Sequence, residues 1–187
     1  MVTMCELELT NLQQRILRFC FLRAGTTLNA HAIAKALSVS QPAVAKSLPL
    51  LQKKEFLLVT KDKETKRFSI TLNRENHHVL WLKRADNLKQ LYESGLVQYF
   101  YDSMPEATII LFGSYAFGED TMTSDIDIAV IGAGKKSLDT KALALKEFEK
   151  NLSREITINS YASFKNIDRH LLNNILNGIT LKGAVQL

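Results

Sequence analysis

The run LFGSYAFGEDTMTSDIDIAV, Leu111 to Val130, places two aspartates at alternate positions in an otherwise apolar, β-branched stretch. Ionised carboxylates are costly to bury unless they are paired or hold a cation, and a pair one residue apart also repel each other. ATIILFGS reads as a buried strand entering a tight turn at Gly113-Ser114. YAFGE has room for a turn or two of helix, stopped at Gly118, and SDIDIAVIG reads as a second strand. Strand alternation puts Asp125 and Asp127 on one face and sends Ile126 and Ile128 into the core. The two carboxylates would stand about 7 Å apart along the strand, close enough to share a divalent ion. Mg²⁺ suits such a site (Mn²⁺ is the alternative), because it takes oxygen ligands and keeps positions for water and phosphate oxygens. Gly113 lets a ligand approach the backbone, N–H groups of the following helix can hold phosphate oxygens, and Ser114 adds a hydroxyl. A phosphate cradle facing two metal-binding carboxylates is the constellation of phosphoryl or nucleotidyl transfer.

The 187 residues allow one medium domain or two small ones. An apolar fraction of 46% suffices for a packed core, and no run of about 18 apolar residues predicts a membrane span. The start, MVTMCELELTNLQQ, has Glu6 and Glu8 where a secretory signal needs positive charge, so a cytoplasmic location is expected. Cys5 and Cys20 have no metal-ligand spacing and read as small buried hydrophobes; His31, His77 and His78 form no metal set either. The net charge of +5 is unevenly divided. Residues 1–80 carry 12 Lys/Arg against 6 Asp/Glu, and residues 81–187 carry 12 against 13. The basic excess therefore points to a polyanionic partner for the N-terminal part.

That part reads as three helices and a hairpin. LTNLQQRILRFCFL places Leu12, Ile16, Leu17, Phe19 and Cys20 at helical spacing behind a Thr10 cap, with Gly25 after it. NAHAIAKAL follows, and QPAVAKSLPLLQKKEF then begins on a Ser40 cap with Pro42 in its first turn. Pro49 predicts a bend rather than two separate helices. Phe56–Thr60 and Arg67–Leu72 read as strands joined by the charged turn KDKET. The pattern across residues 9–72 resembles a winged helix-turn-helix of the MarR/ArsR-like kind. The resemblance implies a third helix that offers Ser40, Gln41, Lys46 and Ser47 to duplex DNA, and a wing carrying Lys61, Lys63, Lys66 and Arg67 to the phosphates. It also implies a possible homodimer matching a two-fold operator. The alternative is a winged helix that docks on protein with a merely solvated wing.

Residues 76–98 read as one or two connecting helices, interrupted near Gly95. Val79, Leu80, Leu82, Leu88 and Leu91 form the apolar side, Lys83, Arg84, Asp86 and Lys89 the solvated side, and Trp81 packs at the junction. A last helix near Ile167–Leu176 covers the sheet and stops at Gly178. GAGKKSLDT reads as a surface turn that could bring Lys135 or Lys136 near a phosphate.

GSYAFGEDTMTSDIDIAV resembles the nucleotidyltransferase superfamily motif: an apolar strand, Gly-Ser, about ten residues, then Asp-x-Asp between apolar residues. It is similar to the minimal nucleotidyltransferase domains of the DNA polymerase β-like fold. The resemblance implies that Gly113, Ser114, Tyr115 and Ser124 bind the nucleotide, most often ATP, and that Asp125 and Asp127 are catalytic and hold Mg²⁺. An acceptor hydroxyl, on a protein or a small molecule, would then attack the α-phosphorus. Such domains can pair with helical partner proteins in toxin–antitoxin systems. Two departures stand out. Tyr115 and Phe117 occupy places where members often have an arginine, and the position between the isoleucines of REITINSY, where a third acid often sits, is Thr157. Glu155 lies two residues earlier on the same side, as a rim residue.

The expected architecture is α+β: a winged helix-turn-helix over residues 1–75, a connecting helix over 76–98, and a nucleotidyltransferase domain with a mixed sheet over 99–187. Two functions follow. One is a Mg²⁺-dependent nucleotidyltransferase coupled to a DNA-binding domain. The other is a DNA-binding regulator whose second domain only binds nucleotide or is catalytically degenerate.

Overall fold

In the computed structural model, which describes residues 9–63, 67–133 and 142–185, each of the first three helices starts on a side-chain cap. Thr10 and Gln13 close a reciprocal capping box at the start of α1 (Asn11–Leu22). Asn29 accepts the Ala32 N–H to begin α2 (Ala30–Leu37), and Ser40 accepts the Ala43 N–H to begin α3 (Gln41–Lys53). Pro42 lies in the first turn of α3, and that helix runs through Pro49 as one element. β1 (Leu57–Lys61) and β2 (Phe68–Leu72) then form an antiparallel hairpin, and Leu28 bridges Ile70 on the other side of β2. Ile16, Ile33, Val44, Leu48, Leu51, Leu57 and Ile70 are buried beneath these elements. The result is a winged helix-turn-helix, within a compact unit Met1–Val79.

The second unit, Leu80–Leu187, is built on a four-stranded mixed sheet of order β5-β4-β3-β6. β3 (Thr108–Phe112) is antiparallel to β4 (Ile126–Ile131) and to β6 (Ile179–Lys182), and β4 is parallel to β5 (Ile156–Tyr161). A parallel pair needs a crossover, and α7 (Ala142–Leu152) supplies it. Side-chain alternation gives the sheet two buried faces. On one, Ile109, Leu111, Ile126, Ile128, Val130 and Ile156 meet residues of α4 (His77–Glu93) and α5 (Leu96–Ser103). On the other, Ile110, Phe112, Ala129 and Ile131 meet Phe164, Ile167 and Ile175, the last from α8 (Arg169–Leu176). Gly95, at φ +80°, separates α4 from α5 as the sequence predicts.

Two expectations for α4 fail. Lys83 and Asn87 share the buried side of the helix with Leu91, so Lys83 is not solvated. Trp81 therefore falls on the opposite side and is 64% exposed. Among the described residues, no helix is long and apolar enough to cross a membrane.

Candidate functional site

β3 ends at Phe112, and the chain turns at once into the five-residue helix α6 (Gly113–Phe117), which Gly118 terminates in a left-handed conformation. Gly113 itself has φ +72°, which an L side chain adopts only under strain. It also faces a second obstacle: a Cβ at this position would stand 2.5 Å from Asp127 Oδ2. The Asp127 carboxylate thus lies directly against the glycine turn, and only glycine leaves it room. Its place is fixed by the sheet, where Asp127 pairs with Phe112 on β3 and with Thr157 on β5. Ala129 and Ile131, further along the same face of β4, are packed in the core, while Asp127 takes the next place toward the open end of the strand.

Asp125 immediately precedes β4 and is exposed, whereas Asp127 is half-buried. Burial, and then the Asp125 charge, hold the Asp127 carboxyl above the usual aspartate value. Asp127 therefore feels the Asp125 charge, and a cation held beside the two would offset it. Ile126 and Ile128 are fully buried, on the side of β4 opposite Asp127.

A cleft of about 590 Å³ opens beside Asp125, lined among others by Ser124, Lys146, Lys150, Arg154 and Glu155. Ser124 is largely occupied in its own turn, accepting the Thr121 N–H at 2.9 Å. Tyr115 corrects the sequence reading. Its side chain is buried in the core, its hydroxyl donates to the Asn87 carbonyl at 3.4 Å, and burial raises its pKa, so only its backbone can serve a ligand. Phe117 fills the place of the expected arginine, and the guanidinium of Arg84 from α4 lies 5.8 Å over its ring. Glu155 is exposed and directly precedes β5, its carbonyl accepting the Ile126 N–H at 2.8 Å. Among the described residues no three acids or histidines gather as a metal cluster, and Lys135 and Lys136 lie outside those residues.

Beneath this site is a buried charged cluster that reading the sequence assigned to solvent or passed over. Asp120 pairs with Lys83 of α4, lies 3.7 Å from Arg154, and accepts from Asn87 Nδ2 at 2.7 Å.

The winged helix brings part of its predicted set together. Gln41 and Arg67 line one hollow of about 710 Å³ between the starts of α2 and α3 and the base of the wing. Gln41 also bonds the His31 ring at 2.8 Å. Lys46, Lys61, Lys63 and Arg67 are exposed, with Lys61 over the Phe68 ring at 5.2 Å. Ser40 and Ser47 are both engaged within the fold. The first is spent on the α3 cap, and the second is 7% exposed, donating to the Ala43 carbonyl. Lys66 lies outside the described residues.

Residues 96–184 match the family model described as polymerase beta, nucleotidyltransferase. No curated protein is similar enough to count as a match. Among solved structures, the chain is similar to a MepR mutant from a multidrug-resistant S. aureus clinical isolate, at 30% identity over 35% of this chain and 48% of that one (TM-score 0.31). It thus spans about half of that protein's length. The S. aureus MepR–DNA complex is 23% identical over 51% of this chain and 81% of that one (TM-score 0.36). The adhesin competence repressor AdcR of Streptococcus pyogenes is 29% identical over 53% and 81% (TM-score 0.30).

Proposed function

We propose that the C-terminal unit is a Mg²⁺-dependent nucleotidyltransferase that uses ATP or another nucleoside triphosphate, and that the winged helix binds duplex DNA. One observation carries the first part: the Asp127 carboxylate rests on Gly113 with the Asp125 charge beside it. The donor set fits the metal. Mg²⁺ is commonly held by one or two carboxylates and completes its shell with water and phosphate oxygens, and a carboxylate made costly by burial and by the Asp125 charge, as Asp127 is, is what such a cation relieves. When bound, it would neutralise the phosphates and the departing pyrophosphate.

The chain's own residues would do the rest. Asp125 and Asp127 would hold the cation, Gly113 leaves room for the Asp127 carboxylate against the turn, and Ser114 would offer its hydroxyl to a phosphate oxygen. The acceptor hydroxyl attacks the α-phosphorus, forms the new phosphodiester bond and releases pyrophosphate. Thr157, beside Asp127 on β5, cannot take the hydroxyl proton, which in this reading passes to solvent. That same threonine supports a second reading, in which the unit binds nucleotide to inform a DNA-binding regulator without transferring it.

Incubation of the full chain with α-labelled ATP and Mg²⁺, alone and with lysate, separates the two. Label on an acceptor, lost in Asp125→Asn, supports transfer; nucleotide binding without labelling selects the sensor. For DNA, a mobility shift that weakens steeply with salt is expected from the exposed lysines of α3 and the wing. A salt-independent shift, or none, would remove DNA from the reading.

A further inference from the structure

The glycine turn and the two aspartates come from one continuous segment, and the loop between them, Gly118 to Asp125, must hold both in register. Its middle is fixed by Asp120, only 1% exposed. This carboxylate forms an ion pair with Lys83, itself 1% exposed, and approaches Arg154, which is 8% exposed. Asn87 Nδ2 donates to Asp120 at 2.7 Å and also to the Tyr115 carbonyl at 2.9 Å, so one amide ties the loop to α6. Three pieces of chain therefore converge on one carboxylate: α4 through Lys83 and Asn87, α6 through Asn87, and the entry to β5 through Arg154.

Stability alone does not account for this arrangement. The dehydration of buried ions offsets most of their attraction, and well-packed apolar side chains in their place often leave a fold as stable or more so. An apolar cluster, however, tolerates sliding, whereas charges and hydrogen bonds in a dry site have one satisfactory geometry. The geometry leads directly to the site. Arg154 lines the cleft beside Asp125, and the next residue, Glu155, accepts the N–H of Ile126, which stands between the two aspartates.

We propose that Asp120, held between Lys83 and Arg154, is a positioning residue that sets the loop leading through Asp125 to Asp127 against Gly113, and thereby sets the affinity of the two aspartates for a divalent cation. This rests on the reading of that pair as a cation site and extends it to residues that touch neither cation nor nucleotide.

Mn²⁺ titrated into the full chain and followed by the EPR signal of the free ion tests it. The wild type binds one ion, and Asp125→Asn abolishes binding. Asp120→Asn weakens binding about 10- to 100-fold, the range typical of groups that orient metal ligands from outside. Should that variant fail to fold, Asn87→Ala decides, because it removes the tie to α6 and keeps every ion pair. It is expected to weaken Mn²⁺ binding several-fold with an unchanged circular dichroism spectrum and one-to-one stoichiometry. Wild-type affinity in folded Asn87→Ala or Asp120→Asn overturns the positioning role and leaves the cation site standing. A wild type that binds no Mn²⁺ overturns the cation site and the proposal with it.

Discussion

In residues 1–79 the buried polar side chains among those described are Gln13 and Ser47, both neutral, whereas residues 80–187 bury Lys83, Asp120, Arg154 and Lys182. The two units also place their working charges differently. Lys46, Lys61, Lys63 and Arg67 of the winged helix stand in water on an apolar scaffold. A polyanion asks no more than this, because its binding draws on counterion release and tolerates mobile side chains. The C-terminal unit sets Asp127 half inside, against a backbone that admits no Cβ, with a charged cluster below. Chemistry at a phosphorus needs groups fixed to a fraction of an ångström, and only packed, bonded side chains hold such positions. Interior charge thus marks the unit whose proposed chemistry depends on geometry.

The largest test of this contrast is Asp120→Asn. It leaves Lys83 and Arg154 buried without their shared carboxylate, and breaking a buried pair in this way costs about 3–5 kcal/mol. Urea unfolding of the variant reads that loss directly. The matching change in the other unit, Lys46→Met, is expected to stay within about 0.5 kcal/mol, as exposed positions do. Equal losses would erase the distinction between the units.

A second measurement concerns Ser40, assigned from sequence to the DNA interface. As the α3 cap it contributes to folding, so Ser40→Ala should cost about 1 kcal/mol, read as a lower urea midpoint. The salt dependence of DNA binding should not change. A changed salt slope with unchanged stability would return Ser40 to the interface and blur the separation of scaffold from contact surface.

What could be read from the chain followed the range of the signal. Caps at Thr10 and Ser40, the stop at Gly118 and the burial of Ile126 and Ile128 are local: each is decided within a few residues, and each is found in the structure. The buried cluster is not local. Lys83 and Asp120 lie 37 residues apart, and a lysine on a helix ordinarily belongs to water. One clue was present, since Lys83 and Asn87 fall at four-residue steps between Val79 and Leu91, both of which are buried. Tyr115 failed for a related reason. A five-residue helix between two strands has one side against the core, and its aromatic residue took that side. Legibility ended where tertiary contacts overrode a residue's usual habit.

A smaller effect is expected from Lys61→Met combined with Lys63→Met. Folding stability should be unchanged within about 0.5 kcal/mol. The slope of log affinity for duplex DNA against log salt should fall by about 0.9 for each phosphate left without its lysine. Titration of DNA at several salt concentrations supplies the slope. An unchanged slope would mean that the wing's charge is only solvated, and the contrast between the two units would lose its N-terminal half.

The smallest effect is also the most discriminating, because it concerns a group that the fold holds at a cost. Asp127 has its carboxyl pKa raised by burial and by Asp125, so protonation favours the folded state more than the unfolded one. The stabilisation is complete below the ordinary aspartate value near 3.8 and is lost as pH rises through the higher folded value. At neutral pH, without divalent cation, Asp127 therefore strains the fold, and Asp127→Asn should raise the thermal midpoint slightly. That gain should shrink as pH falls and the wild-type carboxyl takes up its own proton. Added Mn²⁺ should reverse the order, stabilising the wild type by mass action and leaving the variant unmoved. Cation affinity should weaken as pH drops, beginning above the usual aspartate range, since proton and metal compete for one carboxylate. A wild type more stable than Asp127→Asn at neutral pH without metal would place Asp127 among the structural charges with Asp120. The division between charges that hold the site and charges that await a ligand would then have to be redrawn.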